Sequence, residues 1–352
     1  MNNIMKNILV TGGAGYIGSH TVVALSEKGY RAIIVDDFRN SDKSVKEGLS
    51  HLCKIQPLYF EVDCTDESLM RFIFKYYNLE GVIHFAAYKA VGESIEEPTA
   101  YFHNNLQSLL VLTKLMNEYE VSNLVFSSSC TVYGEPDEVS VTEEQDHKPS
   151  STPYGYTKQV AENYLQFLSK SSKNIVKTTL LRYFNPIGAH PSGIIGELPN
   201  GVPSNLVPYI CQSASGSIGA LTVFGDDYDT PDGTCIRDFI HVVDLANAHL
   251  AALEKQFEST DLLSTYNVGT GKGTSVKELI NTFEQVSGKK LVYHVGPRRE
   301  GDIIQIYADT SKVIRDLNWS SKFSVADALL HSWNWQKNLI QEESYNYKRK
   351  AS

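Results

Sequence analysis

Gly12, Gly15 and Gly18 follow directly on a five-residue apolar run, NILVT, in the order G-x-x-G-x-x-G. Glycine at such places serves a tight turn, close backbone approach to a pyrophosphate, and close helix–strand packing. The helix that follows would aim its free N–H groups at an anion. Asp36 ends the next apolar run, eighteen residues beyond Gly18. A carboxylate there can accept hydrogen bonds from both ribose hydroxyls, and it would repel a 2′-phosphate. A glycine triplet alone could be a plain structural turn. Its place between a strand, a helix and Asp36 favours a dinucleotide, and NAD over NADP.

Tyr154 and Lys158 form Y-x-x-x-K in the segment PYGYTKQVAE. At that spacing they share one helix face. A phenol has a pKa near 10, so a base at neutrality needs a fall of about three units, roughly 4 kcal/mol. A nearby ammonium and a cationic nicotinamide ring can supply that together. A surface Tyr–Lys pair would have the same spacing, so the pair needs company. Ser129 lies twenty-five residues before Tyr154, at the end of a predicted strand in FSSSCTVYG. Ligands bind at strand carboxyl ends in open α/β sheets, and a hydroxyl there can donate to a reacting oxygen. Ser127 and Ser128 are expected to make backbone contacts. His84 and His241 fall within predicted apolar strands and are read as structural.

These groups need a scaffold, and the first half of the chain alternates short apolar runs with longer amphipathic ones. Residues 7–11, 32–36, 81–86, 123–128 and 178–183 read as buried strands. Helical spacing of apolar residues marks 105–119 and 159–168. Alternation of this kind predicts an α/β fold: a doubly wound, Rossmann-type parallel sheet covered on both faces. Residues 186–235 are rich in Gly, Pro, Ser and Asp and read as long functional loops. Regular signals return at 238–254 and 276–288, and the polar tail from about residue 341 is expected to fray. The expected division is a dinucleotide-binding domain over 1–184, with 236–260 packing back onto it. Residues 185–352 form a smaller, loop-rich substrate lobe.

With 352 residues, 42% of them hydrophobic, the chain can bury a sizeable core. A net charge of −9 repels phosphate backbones and argues against nucleic-acid binding. The five cysteines include no C-x-x-C pair, which argues against a zinc site or a disulfide framework and for a reducing, cytoplasmic setting. The N-terminal apolar stretch is too short for a signal peptide, and no run approaches membrane-spanning length.

Longer motifs add to this: TGGAGYIGSH, HFAAYKAVGES, PYGYTK, LRYFNPIGAHPSG, RDFIHVVDLA, YNVGTGKGTSV and RREGD. Through them the chain resembles the UDP-glucose 4-epimerases, a family of extended short-chain dehydrogenases/reductases, over nearly its whole length. HFAAYKAVGES and YFNPIGAHPSG carry the likeness to that family rather than to the superfamily at large. The resemblance implies a cytoplasmic homodimer in galactose metabolism that uses NAD to interconvert UDP-glucose and UDP-galactose. Ser129, Tyr154 and Lys158 would be catalytic. Implied NAD contacts are Gly12, Gly15, Tyr16, Ile17, Gly18, Asp36, Asp37, Phe38, Arg39, Asn40, Ser41, Asp63, Cys64, Phe85, Ala86, Ala87, Tyr88, Lys89, Asn104, Ser129, Tyr154, Lys158 and Phe184. Implied sugar-nucleotide contacts are Lys89, Ser129, Tyr154, Asn185, Asn205, Leu206, Phe224, Arg237, Arg299 and Asp302. The family position seven residues after the RREGD arginine, here Ile306, would lie near the sugar's 2-substituent. Arg237 and Arg299 suit a diphosphate, and Phe224 could stack on uracil or simply be core. Asp37 and Phe38, and Cys130 after Ser129, depart from the family's common pattern without removing a group the chemistry needs. Family dehydratases carry Asp-Glu after the active-site hydroxyl residue, whereas Cys130 and Thr131 stand here. A non-catalytic NAD-binding module could dispense with Tyr154 and Lys158, and both are present.

Overall fold

The computed structural model describes residues 5–299 and 301–350, so Glu300 of the RREGD motif lies outside the described residues. Seven strands form one parallel sheet. Their order is Leu263–Val268, Lys177–Tyr183, Asn123–Ser127, Leu79–His84, Asn7–Thr11, Arg31–Asp36, Leu58–Glu61. Strand order runs outward in opposite directions from the adjacent pair Asn7–Thr11 and Leu79–His84. That reversal opens a crevice at the strands' carboxyl ends. The expected doubly wound sheet is therefore present.

Successive residues of a strand face opposite sides, and Asn7–Thr11 is buried on both. Ile8 and Val10 pack with Val22, Val23, Leu245 and Leu250 of helices Tyr16–Glu27 and Val242–Glu258. Leu9 packs with Ile73, Leu109, Leu112 and Leu165 of helices Glu67–Tyr76, Pro98–Glu118 and Pro153–Ser169. Ile8, Leu9 and Val10 have no solvent exposure, and each such side chain contributes roughly 1.5–3 kcal/mol by leaving water. This buried first strand fixes where the glycine loop begins.

Two of the seven strands were not expected. Leu58–Glu61 is a half-exposed edge strand, and Leu263–Val268 (LSTYNV) is too polar at its start to read as an apolar run. The second lies beyond 236–260, so the segment returning to the sheet is longer than expected. The helix expected over 105–119 begins at Pro98, and the one over 159–168 begins at Pro153. Proline suits a first helical turn, where its missing N–H has no partner to lose. The segment 186–235, read as loops, contains helix Leu206–Ser215 and strand Leu221–Phe224. Of the tail expected to fray, residues 341–350 continue helix Val325–Lys350, and residues 351–352 lie outside the described residues. Helices Leu206–Ser215, Val276–Ser287 and Val325–Lys350 enclose a separate core with Ile210, Leu279, Phe283, Leu329 and Trp333. Among the described residues no helix is long and apolar enough to cross a membrane.

Candidate active site

The glycine loop leaves the first strand at the crevice. Gly12 has φ +68 and its N–H donates to the Val35 carbonyl at 2.8 Å. A Cβ on Gly12 would come within 2.8 Å of the Ala86 nitrogen, and one on Gly18 within 2.2 Å of the Gly12 carbonyl oxygen. Both neighbours are backbone and cannot yield, so the turn and the helix start require glycine. Gly15 precedes helix Tyr16–Glu27 with no side-chain cap, which leaves first-turn N–H groups directed at the cleft. Asp36 is buried at the end of its strand. Its carboxylate accepts from Ala14 N at 3.0 Å, Phe38 N at 3.0 Å and Ser41 Oγ at 2.8 Å. Burial nonetheless raises its pKa, against those three hydrogen bonds. A glycine cradle with an oriented acid at its rim fits a dinucleotide.

One cleft of about 760 Å³ joins this cradle to Tyr154 and Lys158. Its walls take in nearly all the residues expected against the dinucleotide: the glycines, Tyr16, Ile17, residues 36–37 and 39–41, Asp63, Cys64, residues 85–89 and Asn104. Phe38, Ser129 and Phe184 are not on its walls. Phe38 adopts φ 59, outside the usual range for a bulky residue, and Lys46 lies over its ring at 4.6 Å. Phe184 is buried with Val132, Tyr133 and Ile306. At the far end, Arg39 bonds Asp63 and donates to the Tyr88 hydroxyl at 2.5 Å.

Tyr154 and Lys158 are buried on helix Pro153–Ser169, whose start Thr152 caps by accepting from Gly155 N at 3.3 Å. Lys158 Nζ donates to the Ser127 carbonyl at 2.8 Å, tying the helix to the end of strand Asn123–Ser127. Burial lowers its pKa to about 8, against the charge of Glu162. Tyr154 is pushed the other way from a ready base. Burial raises its pKa, Tyr183 adds to this, and only a hydrogen bond with Ser129 among the leading influences opposes it. Burial thus favours the protonated phenol, and positive charge beside it would favour the phenolate. Ser129 is buried and accepts from Thr131 N at 3.2 Å, capping the short helix Cys130–Tyr133. Burial raises the Cys130 thiol to about 12, so it is not a thiolate near neutrality.

The residues expected against the sugar nucleotide fall in two groups. Lys89 and Asn205 line the cleft with Tyr154. Arg237, Phe224, Arg299 and Asp302 lie beyond that wall. There Arg237 approaches Asp302 at 3.8 Å, and the Arg299 guanidinium sits 4.9 Å from the Phe224 ring centre. Phe224 is exposed, not core. Asn185 opens a short strand paired with Phe239–His241, and Leu206 opens the helix after Asn205. Ile306 is buried in strand Gln305–Ala308, opposite Arg237. His84 meets Thr11 Oγ1 at 2.7 Å, and His241 accepts from Val243 N at 3.0 Å to cap a helix. Burial lowers both to about 3, so both are neutral near pH 7.

Residues 8–269 match the family described as NAD dependent epimerase/dehydratase. The chain belongs to that family. A UDP-glucose 4-epimerase of Bacillus subtilis is 46% identical over 333 residues, covering 95% of this chain and 97% of the relative. A solved UDP-glucose 4-epimerase of Stenotrophomonas maltophila, with bound NAD and formylated UDP-arabinopyranose, superposes with a TM-score of 0.93 at 43% identity. It covers 96% of this chain and 99% of its own. That of Bifidobacterium longum, in complex with NAD+ and UDP, gives a TM-score of 0.90 at 44% identity over 95% and 98% of the two chains.

Two acidic residues had no place among the expectations: Glu197 on the cleft wall and Glu162 buried away from it. Glu197 accepts from Asn205 Nδ2 at 2.6 Å and Lys89 Nζ at 3.4 Å, and its carbonyl accepts from Trp335 Nε1 at 3.0 Å. Glu162 accepts from Ser128 Oγ at 2.5 Å, so Ser128 bonds through its side chain as well as its backbone. The signal for Glu162 was its position four residues after Lys158, on the same helix face.

Proposed function

We propose that this chain interconverts UDP-glucose and UDP-galactose through a transient 4-keto sugar. The observation that carries this reading is the meeting of Tyr154 and Lys158 with the glycine cradle and Asp36 in one cleft. Bound NAD, held by the glycine loop, Asp36 and Lys158, supplies the hydride acceptor and donor at C4. Tyr154 takes the C4 hydroxyl proton and later returns it. Ser129 donates a hydrogen bond to that oxygen. Lys158 stabilises the phenolate that burial disfavours. Arg237 and Arg299 hold the diphosphate, and Phe224 covers the uracil, so the keto sugar can turn over without leaving. Residues 1–184 with the returning segment form the dinucleotide domain, and the rest of 185–352 forms the sugar-nucleotide lobe. The chain works in the cytoplasm. Purified protein given UDP-galactose should yield UDP-glucose without added NAD; no product would reject the reading.

Two finer readings belong here. The protein is a homodimer through helices Pro98–Glu118 and Pro153–Ser169. One stripe of each packs on the sheet, while Leu110, Tyr156 and Phe167 are exposed, and two such faces form a four-helix contact. Light scattering at micromolar concentration should give twice the chain mass, and a monomer would reject the dimer. Ile306 helps limit substrate breadth. It is smaller than tyrosine but β-branched and stiff, and an acetamido group left unpaired in a closed pocket costs about 1–3 kcal/mol. UDP-N-acetylglucosamine should be a weak substrate at most. Ile306→Tyr should lower and Ile306→Cys raise activity on the acetylated pair relative to the plain pair. An unchanged ratio in both variants would remove Ile306 from this role.

A further inference from the structure

Glu162 has no solvent exposure and stands one helical turn beyond Lys158. Burial alone would raise its pKa. His147, whose Nε2 lies 3.3 Å from Oε2 and 2.7 Å from Arg182 Nη2, the Arg182 charge and a bond from Ser128 instead hold it at about 2. Its Oε1 accepts from Ser128 Oγ at 2.5 Å and from Arg182 Nε at 3.1 Å, and its Oε2 accepts from Arg182 Nη2 at 2.7 Å. Arg182 also donates from Nη1 to the Tyr133 hydroxyl at 3.0 Å and the Glu143 carbonyl at 3.3 Å. Tyr133 in turn donates to Asn267 Oδ1 at 2.6 Å. One carboxylate therefore joins four pieces of the chain. They are helix Pro153–Ser169, the Ser128 end of the strand that delivers Ser129, strand Lys177–Tyr183, and the short helix Cys130–Tyr133. A buried ion pair is a weak device for stability, because desolvating two charges offsets most of their attraction. Its position here, between the segments that carry Ser129, Tyr154 and Lys158, suits geometry instead.

Resting on the proposed reaction, we infer that Glu162, with Arg182 and Ser128, is a positioning unit: it locks the Ser129-bearing strand end onto the Tyr154–Lys158 helix and keeps Lys158 a cation. Lys158 Nζ has the Ser127 carbonyl at 2.8 Å and the Phe126 ring centre at 5.0 Å. His84, from the neighbouring strand, is neutral near pH 7 because burial lowers it to about 3. Tyr154, on its own helix, is held protonated by burial. Glu162 is the anion whose charge opposes the burial of Lys158. Its removal lets the Lys158 pKa fall further, so the ammonium is lost at lower pH.

The test uses the full-length protein as purified with its cofactor, in three forms: wild type, Glu162→Gln and Ser128→Ala. A misplacement of about 1 Å can cost ~100-fold in rate. Glu162→Gln is expected to lower kcat about 100-fold, to leave the UDP-galactose KM within about threefold, and to move the basic limb of the kcat–pH profile to lower pH. Ser128→Ala cuts only the strand tether. It is expected to lower kcat about tenfold with the basic limb unmoved, since the Glu162 charge remains. Nitrogen NMR of the Lys158 ammonium should titrate at lower pH in Glu162→Gln than in wild type. A kcat within about threefold of wild type in Ser128→Ala, or an unmoved Lys158 titration in Glu162→Gln, overturns the proposal. If Glu162→Gln does not fold, Ser128→Ala decides, because it leaves the ion pair whole. If wild type itself does not interconvert the sugars, the functional reading fails, and the Lys158 titration still reads this inference separately.

Discussion

Replacing Tyr154 by phenylalanine is expected to lower kcat about 10²–10⁴-fold while leaving the fold and the bound NAD in place, because only the proton-transferring group is deleted. The ring that packs against the cleft wall remains. The hydroxyl that goes is the one Ser129 bonds, and burial gives it an elevated pKa in the chain alone. Structural cost is small, since the phenol is an uncharged group and its ring volume is kept. The check is kcat on UDP-galactose beside the NAD released when the protein is denatured. Near-normal turnover with full NAD content would remove Tyr154 from the proton-transfer role.

Lys158→Met should be almost as damaging, and in an informative way. Lys158 is buried at the cost of its charge: burial draws its pKa down to about 8. Methionine fills similar space without a charge to desolvate, so the melting temperature should not fall far. Ser127 loses the donor to its carbonyl, which offsets part of that gain. The phenolate, however, loses the cation on its own helix face. Removing one such preorganised charge typically costs about 10²–10³ in kcat. NAD retention should weaken as well, through the lost ribose contact. Measured kcat, melting temperature and NAD content together separate these effects. A variant that kept wild-type kcat would show that Lys158 does not tune Tyr154.

The Tyr154–Lys158 pair and the cradle were legible because each is local in sequence. Tyr154 and Lys158 share one helical turn, and the glycine loop, its strand and Asp36 lie within thirty-six residues. Strand Asn7–Thr11 was legible because both its faces are buried, so it reads as an unbroken apolar run. Leu263–Val268 was not, because an edge strand has a neighbour on one side only and tolerates Ser264 and Thr265. Glu162 and Arg182 escaped for a different reason. Each is a charged residue in an amphipathic or apolar stretch, and only the tertiary fold brings them together. The pKa of Tyr154 was beyond sequence reasoning too, since it depends on how completely the cleft walls exclude water. The same holds for Phe38 and Phe184, whose neighbours in sequence line the cleft while they do not.

The most direct measurement follows the hydrogen at C4. UDP-galactose deuterated at C4 is incubated with the purified protein in ordinary water, without added cofactor, and the UDP-glucose formed is analysed by mass and NMR. The product should be UDP-glucose that keeps its deuterium at C4, because hydride leaves and returns within one cleft while Tyr154 handles only the hydroxyl proton. Absence of UDP-glucose, or product whose C4 deuterium has exchanged with water, would contradict the proposed reaction.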